Sequence, residues 1–276
     1  MSADPVFLLI MGWISLLRRY PVKSMLGEDI GRCAEMTEVG LAGDRGHALI
    51  HTATGAVVSA KNPRLWRSML ALQASAAPGG DVTITFPDGG TAAGTDPGID
   101  ERLSAFLGHP VRLAATPPPG AQMEHASPDD VIRYGVTATV PTQLRPLGAG
   151  TFFNYAALHL ITTSTLASIG ADLIRYRPNI VISTPGLAGY PENDWLGRDL
   201  AIGETVIKVI ARTPRCAVPT LAHGMTAGVD KSALRVVAEH NRVPAFDGRA
   251  AEPCAGVYAQ VLRPGWIRVS DGVRPA

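Results

Sequence analysis

The chain has 276 residues, enough for one large β-rich domain or two domains of ordinary size, and we expect two. Its 25 lysines and arginines nearly balance 24 aspartates and glutamates, which excludes a global electrostatic footprint for nucleic acid or an anionic membrane. Three cysteines without a short spacing exclude a disulfide framework and a tetrathiolate zinc site. The predicted location is therefore the reducing cytoplasm.

The N-terminal segment "VFLLIMGWISLL" (residues 6–17) is apolar enough to suggest a signal peptide. It has no basic residue ahead of it, and its length of about twelve residues is short of the roughly 20 that a membrane helix needs. The pattern predicts a buried strand. Residues 1–10 are interpreted as an extension ahead of a domain that begins near Met11.

Short β-rich segments separated by glycine and proline follow along the chain. The last of them, "GVYAQVLRPGWIRVS" (256–270), alternates apolar and polar residues on both sides of Pro264-Gly265 and predicts a terminal hairpin. The other predicted strands are "HALIHTATGAVVSA" (47–60), "DVTITFPDGG" (81–90), "NIVIST" (179–184) and "ETVIKVIA" (204–211).

Three short helices are predicted. Asp96-Pro97 precedes "GIDERLSAFLG", where Gly108 is placed to end the helix, and Asp230 precedes "KSALRVVAEHNR". The third, "STLASIGADL", begins at a run of hydroxyl residues, Thr162–Thr165. The mixture predicts an α+β fold in which strands predominate.

Residues 116–151 are crowded with proline, glycine and polar residues, and no hydrophobic period persists in them. Loops of this length are usually lids or connectors, so we interpret the segment as the boundary between two halves of the chain. The aromatic segment "TFFNY" that follows either docks the end of this connector or packs as ordinary core.

Cationic residues recur in loops at the ends of the strand-like segments. Lys23 lies in "YPVKS", Arg45 in "GDRG", Arg177 in "RYRPN" and Arg215 in "TPRC". If these loops converge, they form one anion pocket in a chain without net charge. The glycines of "GLAGDRG" do not form a dinucleotide loop, because a strand pattern follows them instead of a helix.

Cys216 lies between Arg215 and two prolines, and both Arg212 and Arg215 would favour its thiolate. A thiolate at this position suits attack on carbon, with a distant histidine as a partner, or ligation of a soft or high-valent metal. A purely structural cysteine is an equal alternative. Cys33 and Cys254 lack paired cations and are interpreted as structural.

Taken in order, six short motifs resemble those of the MOSC family, named for the C-terminal domain of molybdenum cofactor sulfurase, with a MOSC N-terminal β-barrel-like domain. The motifs are "YPVKSM", "GLAGDR", "HLITTSTL", "RYRPNIVI", "NDWLGRDLAIG" and "PRC". The similarity extends to the mitochondrial amidoxime-reducing component and its bacterial counterparts. It implies a MOSC β-barrel core with a smaller N-terminal barrel-like domain and a few short helices.

The resemblance implies three regions: the N-terminal domain at 11–115, a connector or lid at 116–151, and the MOSC domain at 152–276. It also implies a molybdopterin-type molybdenum cofactor whose metal is ligated by the catalytic Cys216. The residues implied to contact the cofactor are Lys23, Ser24, Arg45, Thr163, Ser164, Arg177, Asn179 and Arg215.

The activity implied is reduction of N-hydroxylated or N-oxygenated small molecules. No cysteine cluster for an iron–sulfur domain is present, so the electron donor is expected to be a separate ferredoxin, flavin reductase or cytochrome type of protein. The segment "AVPTLAHGMTAG" departs from the threonine-rich stretch of amidoxime-reducing relatives, so substrate contacts are not carried over. The alternatives are a sulfur carrier with a Cys216 persulfide and a non-catalytic cofactor-binding protein.

Overall fold

The structure is a computed structural model that describes residues 10–148, 150–225 and 227–276. Strands predominate over short helices, which confirms the predicted α+β class. The strands are β1 (Gly12–Arg19), β2 (Glu28–Asp29), β3 (Cys33–Thr37), β4 (Gly40–Leu41), β5 (Ala48–His51), β6 (Gln73–Ala76), β7 (Val82–Thr85), β8 (Thr91–Ala93), β9 (Val111–Ala114), β10 (Gln122–Ala126), β11 (Thr142–Pro146), β12 (Leu158–Thr162), β13 (Ile180–Ser183), β14 (Asp199–Ile202), β15 (Thr205–Pro214), β16 (Arg242–Pro244), β17 (Ala251–Arg263), β18 (Gly265–Arg268) and β19 (Gly272–Pro275). The helices are α1 (Pro63–Trp66), α2 (Ile99–Leu107), α3 (Pro128–Tyr134), α4 (Thr163–Ile169) and α5 (Ser232–His240). None of these helices is long and apolar enough to cross a membrane.

Seven strands form a closed barrel in the order β12, β13, β1, β19, β14, β15, β17 and back to β12. Among these seven described strands, the β12–β13 pair is the one that runs parallel. Buried and partly exposed residues alternate without a break along β15, as expected of a strand with one face on the core. The main core fills the barrel and includes Ile14, Leu17, Leu160, Ile182, Ile207, Val257 and Val273.

The first strand of the chain is a barrel strand. β1 pairs with β13 and β19, so residues 12–19 complete a barrel whose other strands come from residues 158–275. This confirms the strand predicted within residues 6–17, where Ile14 and Leu17 are fully buried. Residues 1–9, most of the predicted extension, lie outside the described residues. The predicted division at 115 and 151 stays a prediction.

A second core is formed by side chains between Val22 and Val111. A three-stranded sheet, β6-β7-β8, and the β5–β9 pair enclose buried side chains from the strands and from α1 and α2. α2 ends at the left-handed Gly108, as predicted. It begins two residues later than predicted, after Gly98, because the carboxylate of Asp96 accepts a hydrogen bond from the backbone N–H of Ala93 and closes a turn ahead of the helix.

The segment 116–151 contains regular structure that its sequence pattern did not predict. β10 and β11 form a hairpin, and α3 lies between them in the chain. All five residues of β11 are exposed, so this strand has no apolar period to detect. The inner face of α3 contributes Val131 to a small cluster with Ala126 and Ala217, the residue after Cys216.

The predicted terminal hairpin is wrong. Only Pro264 separates β17 from β18, and β18 pairs with β3 instead of folding back on β17. β17 pairs with β15 along one edge and with β12 and β16 along the other. Ile267 of β18 is buried in the main core, which explains the apolar alternation in this segment.

Gly256 provides a test of the barrel wall beside His159. Its φ is +78°, and a Cβ there would lie 2.4 Å from Nε2 of His159 and 2.5 Å from the carbonyl oxygen of Leu160. We expect Gly256→Ala to lower the free energy of unfolding by about 3 kcal/mol, measured by urea denaturation. The matched control is Gly248→Ala, with φ +80° and no atom within 4 Å, for which only the backbone cost of about 1 kcal/mol is expected. Equal losses in both variants would contradict the clash.

Candidate functional site

One cleft collects residues from loops that are far apart in the sequence. β1 runs antiparallel to β13, and β13 runs parallel to β12, so the end of β1 and the beginnings of β12 and β13 lie at the same rim of the barrel. Residues 20–24, 152–156 and 175–179 therefore meet there. The structure brings seven of the nine predicted site residues into the lining of this cleft: Lys23, Ser24, Arg45, Arg177, Asn179, Arg215 and Cys216. We call it the Cys216 cleft.

Three of these residues have an unusual backbone. Ser24, Arg45 and Arg177 have φ values of 64°, 48° and 56°, in the left-handed region that side chains other than glycine rarely adopt. In the described chain, Ser270 is the one further residue of this kind that is not glycine. Such conformations persist only where the surrounding structure enforces them, and they cluster at functional sites.

Tyr20 is the platform for two of the arginines, and the sequence interpretation missed it. The Tyr20 ring is fully buried, with the guanidinium of Arg177 at 4.3 Å and that of Arg45 at 4.6 Å from its centroid. Arg177 also donates to the carbonyl of Met25 at 2.7 Å. Burial lowers the pKa of Arg177 to about 10 even though the Tyr20 phenol opposes this shift. Both arginines are thus fixed by their surroundings.

Asn179 positions its neighbours. Its side-chain oxygen accepts from Arg45 and from the backbone N–H of His159, both at 3.2 Å, and its amide nitrogen donates to the carbonyl of Arg18. The carboxylate of Asp44 also holds Arg45 in place, because it accepts hydrogen bonds from the Arg45 guanidinium and from the backbone N–H of Tyr20. Burial raises the pKa of Asp44, and its contacts with Arg45 oppose that shift.

Lys23 is a buried ammonium group with two acceptors. Nζ donates to the carbonyl of Phe152 at 2.7 Å and to the side-chain oxygen of Asn154. Burial lowers the pKa of Lys23 well below its ordinary value, and the charges of Lys61, Arg45 and Arg177 lower it further. Both acceptors of Lys23 are uncharged, and no carboxylate among the described residues forms a salt bridge with it.

Cys216 lies in the loop after β15 and is half-buried, with its thiol free. Arg215 is held beside it by a bond from its guanidinium to the carbonyl of Tyr176 (2.8 Å) and by its position over the Tyr176 ring. The guanidinium of Arg212 donates to the carbonyls of Asn193 and Pro244 and does not line the cleft, and its effect on the Cys216 thiolate stays a prediction.

Further residues of the cleft were missed. Lys61 lines the cleft together with Cys216; burial lowers the pKa of Lys61, and a thiolate at Cys216 would oppose that shift. Tyr258 lines the cleft from β17 and His159 from β12, where burial lowers the pKa of His159 to about 3. Lys61 precedes Asn-Pro at the end of a strand-like segment, so the rule that selected the other cationic loops would also have found it.

Arg175 stabilises the loop beyond Cys216. Its guanidinium donates to the carbonyls of Pro219, Leu221 and Gly228 at distances from 2.6 to 3.1 Å. The segment that departs from the amidoxime-reducing pattern is therefore tied to the residues just ahead of Arg177.

Thr163 and Ser164 are not brought to the cleft. They begin α4, and at about 3.3 Å per strand residue Thr163 lies roughly 13 Å along the chain path from His159. The Ser164 hydroxyl bonds to Thr184 and to the carbonyl of Leu187, and Thr163 accepts from the Thr184 N–H. These hydroxyls hold α4 against β13, a structural role.

The charge of the Cys216 cleft has one sign. Among the described residues that line it, Lys23, Arg45, Lys61, Arg175, Arg177 and Arg215 are cationic, and none is a carboxylate. The fixed cations can bind an anionic ligand, and the free thiol can contact or ligate the same ligand.

The fold and site define a β-barrel protein with a cation-lined cysteine cleft, and comparison with known families agrees. The MOSC domain model matches residues 149–274, and the MOSC N-terminal beta barrel domain model matches residues 11–102. The chain belongs to the MOSC family, with both domains, as its motifs predicted. The resemblance to the amidoxime-reducing component stays a prediction.

Curated proteins and solved structures add little. No curated protein matches the chain. A solved structure described as an hypothetical protein is 11% identical, with 96% of this chain and 68% of that chain covered and a TM-score of 0.38. The YUAD protein from Bacillus subtilis is 10% identical, with 95% and 93% covered and a TM-score of 0.41. Neither similarity carries a functional argument.

The three cysteines are expected to differ in reactivity. Cys254 is fully buried, and burial raises the pKa of its thiol to about 12, whereas Cys33 is exposed and Cys216 half-buried. Because the thiolate is the reactive form, we expect iodoacetamide at pH 8 to alkylate Cys33 and Cys216 but to reach Cys254 only after unfolding. Peptide mass spectrometry measures the three sites separately. Labelling of Cys254 as fast as of Cys33 in the folded protein would contradict this.

The lowered pKa of Lys23 predicts a pH-dependent stability. Between its lowered pKa and its unfolded value near 10.5, the unfolded chain binds more protons, so stability rises with pH. We expect cofactor-free protein to gain free energy of unfolding relative to Lys23→Met as pH rises through this range, by at most about 1.4 kcal/mol per pH unit. Urea denaturation at several pH values checks it. A difference that stays flat or falls with pH would count against a buried, unpaired ammonium.

Proposed function

We propose that this MOSC protein is a molybdenum-cofactor-dependent oxidoreductase that reduces N-hydroxylated or N-oxygenated small molecules. MOSC domains are associated with molybdenum-cofactor-binding proteins in general. The observation that carries the proposal is the juxtaposition of a free, half-buried Cys216 thiol with six cations and no carboxylate in one cleft.

The residues of the cleft fit a molybdopterin-type cofactor. Such a group carries an anionic phosphate, for which Lys23, Arg45 and Arg177 are fixed donors. Cys216 offers the soft sulfur ligand that suits a thiophilic metal. In the described ranges, no group of three histidine, cysteine, aspartate or glutamate side chains forms a metal site.

When bound, the cofactor supplies a two-electron change coupled to oxygen transfer. In the overall reaction the N–O bond breaks and the oxygen leaves as water, which consumes two electrons and two protons. Lys61 lines the same cleft as Cys216, where its ammonium group would donate a proton to the leaving oxygen. The electrons would come from a separate donor protein, as expected from the sequence.

Molybdenum content tests the proposal. We expect protein from a cofactor-competent host to contain about one molybdenum per chain by elemental analysis, and Cys216→Ala to contain almost none. Arg177→Met is expected to lose several-fold in content because it removes a fixed cation. Cys33→Ala is the matched control and should keep the wild-type content. Benzamidoxime and reduced methyl viologen then provide the assay of turnover.

Content near zero in the wild type, or unchanged content in Cys216→Ala, would overturn the proposal. A full molybdenum content without turnover of any N-oxygenated substrate would favour the non-catalytic cofactor-binding alternative.

The sulfur-carrier alternative rests on the same thiol, since a half-buried cysteine flanked by Lys61 and Arg215 also suits an anionic persulfide. Incubation with a sulfur donor followed by intact-mass spectrometry distinguishes the two. A reducible gain of one sulfur at Cys216, without molybdenum, would support the carrier.

A further inference from the structure

A row of three aromatic rings leads from the surface into the Cys216 cleft. The Phe246 and Tyr155 rings are nearly parallel, with 5° between their planes and 6.4 Å between centroids, and Tyr155 lies 5.6 Å from Tyr258. Tyr155 and Tyr258 line the cleft. We call these three residues the aromatic row.

The aromatic row is open to solvent at its outer end. The exposed fraction of Tyr155 is 56% and that of Phe246 is 36%. Large apolar side chains that cluster at the surface commonly mark a binding site, whereas single ones need no explanation. Here the cluster continues directly into the candidate site, because the inner ring, Tyr258, lies close enough to Cys216 and Arg215 for their charges to influence its pKa.

A second groove adjoins the Cys216 cleft at Tyr155. It shares Phe153, Tyr155 and Ala156 with the Cys216 cleft and extends past Val39 and Ile210. No charged side chain is among its described lining residues. Tyr155 therefore stands between a cationic cavity and an apolar one, and a ligand that occupies both would have a polar end and an apolar body.

The charges around the aromatic row restrict that body further. The guanidinium of Arg249 lies 5.6 Å from the Phe246 centroid, and the deep cleft is cationic throughout. A cationic body would be repelled by these charges, while a flat neutral ring can stack on Tyr155 and replace water on its exposed face.

We propose that the aromatic row and the adjoining groove bind the flat, uncharged aromatic body of the substrate, with its N–O group in the cleft beside Cys216. Tyr155 is the specificity-determining residue. The reaction at the N–O group rests on the proposed function, but the binding preference does not require turnover.

The test compares two ligands with the same reacting group, benzamidoxime and acetamidoxime. Their dissociation constants with cofactor-loaded protein are measured by equilibrium dialysis without reductant, and KM values are measured with reduced methyl viologen. We expect benzamidoxime to bind at least tenfold more tightly. Tyr155→Leu, which keeps an apolar side chain, should weaken benzamidoxime binding about tenfold, the size of one aromatic stacking contact, and change acetamidoxime binding less than twofold.

Two further variants separate stacking from general damage. Tyr155→Phe keeps the ring and should stay within twofold of wild type for both ligands. Trp266→Leu changes another exposed aromatic residue, which lies on β18 away from the cleft, and should have no effect.

Equal affinity for the two ligands, or an equal loss for both in Tyr155→Leu, would overturn the inference. A preserved preference for benzamidoxime without turnover would sustain the binding site and reject the proposed reductase activity. Turnover of both ligands with equal KM values would sustain the reductase activity and reject the proposed binding site.

Discussion

The crowding of like charges at one rim of the barrel is the constraint on which the rest of the structure depends. Burial lowers the pKa of Lys23 and of Arg177, and the charge of Arg45 beside them lowers both further, so holding these groups as cations costs free energy. The chain offsets it in part with backbone carbonyls, with the face of the Tyr20 ring and with Asp44. An anionic ligand would supply the missing charge, so the fold retains a cost that binding relieves.

The barrel explains how these groups are held in place. The loops of the adjacent strands β1, β13 and β12 lie at the same rim of the barrel. Asn179 connects them by hydrogen bonds to Arg45, His159 and Arg18. The left-handed backbone at Ser24, Arg45 and Arg177 belongs to the same arrangement, because a chain leaving or entering a strand must turn sharply to direct its side chain into the cleft.

The sequence predicted the local parts better than their assembly. Cations in loops at strand ends could be predicted, because the neighbouring prolines and glycines identify stiff loops in the sequence. Seven of the nine proposed site residues meet in one cleft. Tyr20 and Tyr258 were not visible, since a buried aromatic has the same pattern in a platform as in ordinary core. Thr163 and Ser164 match a motif, but their hydroxyls bond to Thr184 within the fold. The pairing of β18 with β3 could not be predicted, because pairing between distant strands leaves no local signal in the sequence.

The position of β1 has a consequence for how the protein is made. β1 lies between β13 and β19, so a strand near residue 12 pairs with strands that are synthesised much later. Its pairing with β19 closes a loop of about 250 residues, a non-local contact of the kind that slows folding. During synthesis on the ribosome, β1 cannot pair within the barrel until β13 has been made, and the cation-lined rim cannot form before Cys216 has left the exit tunnel.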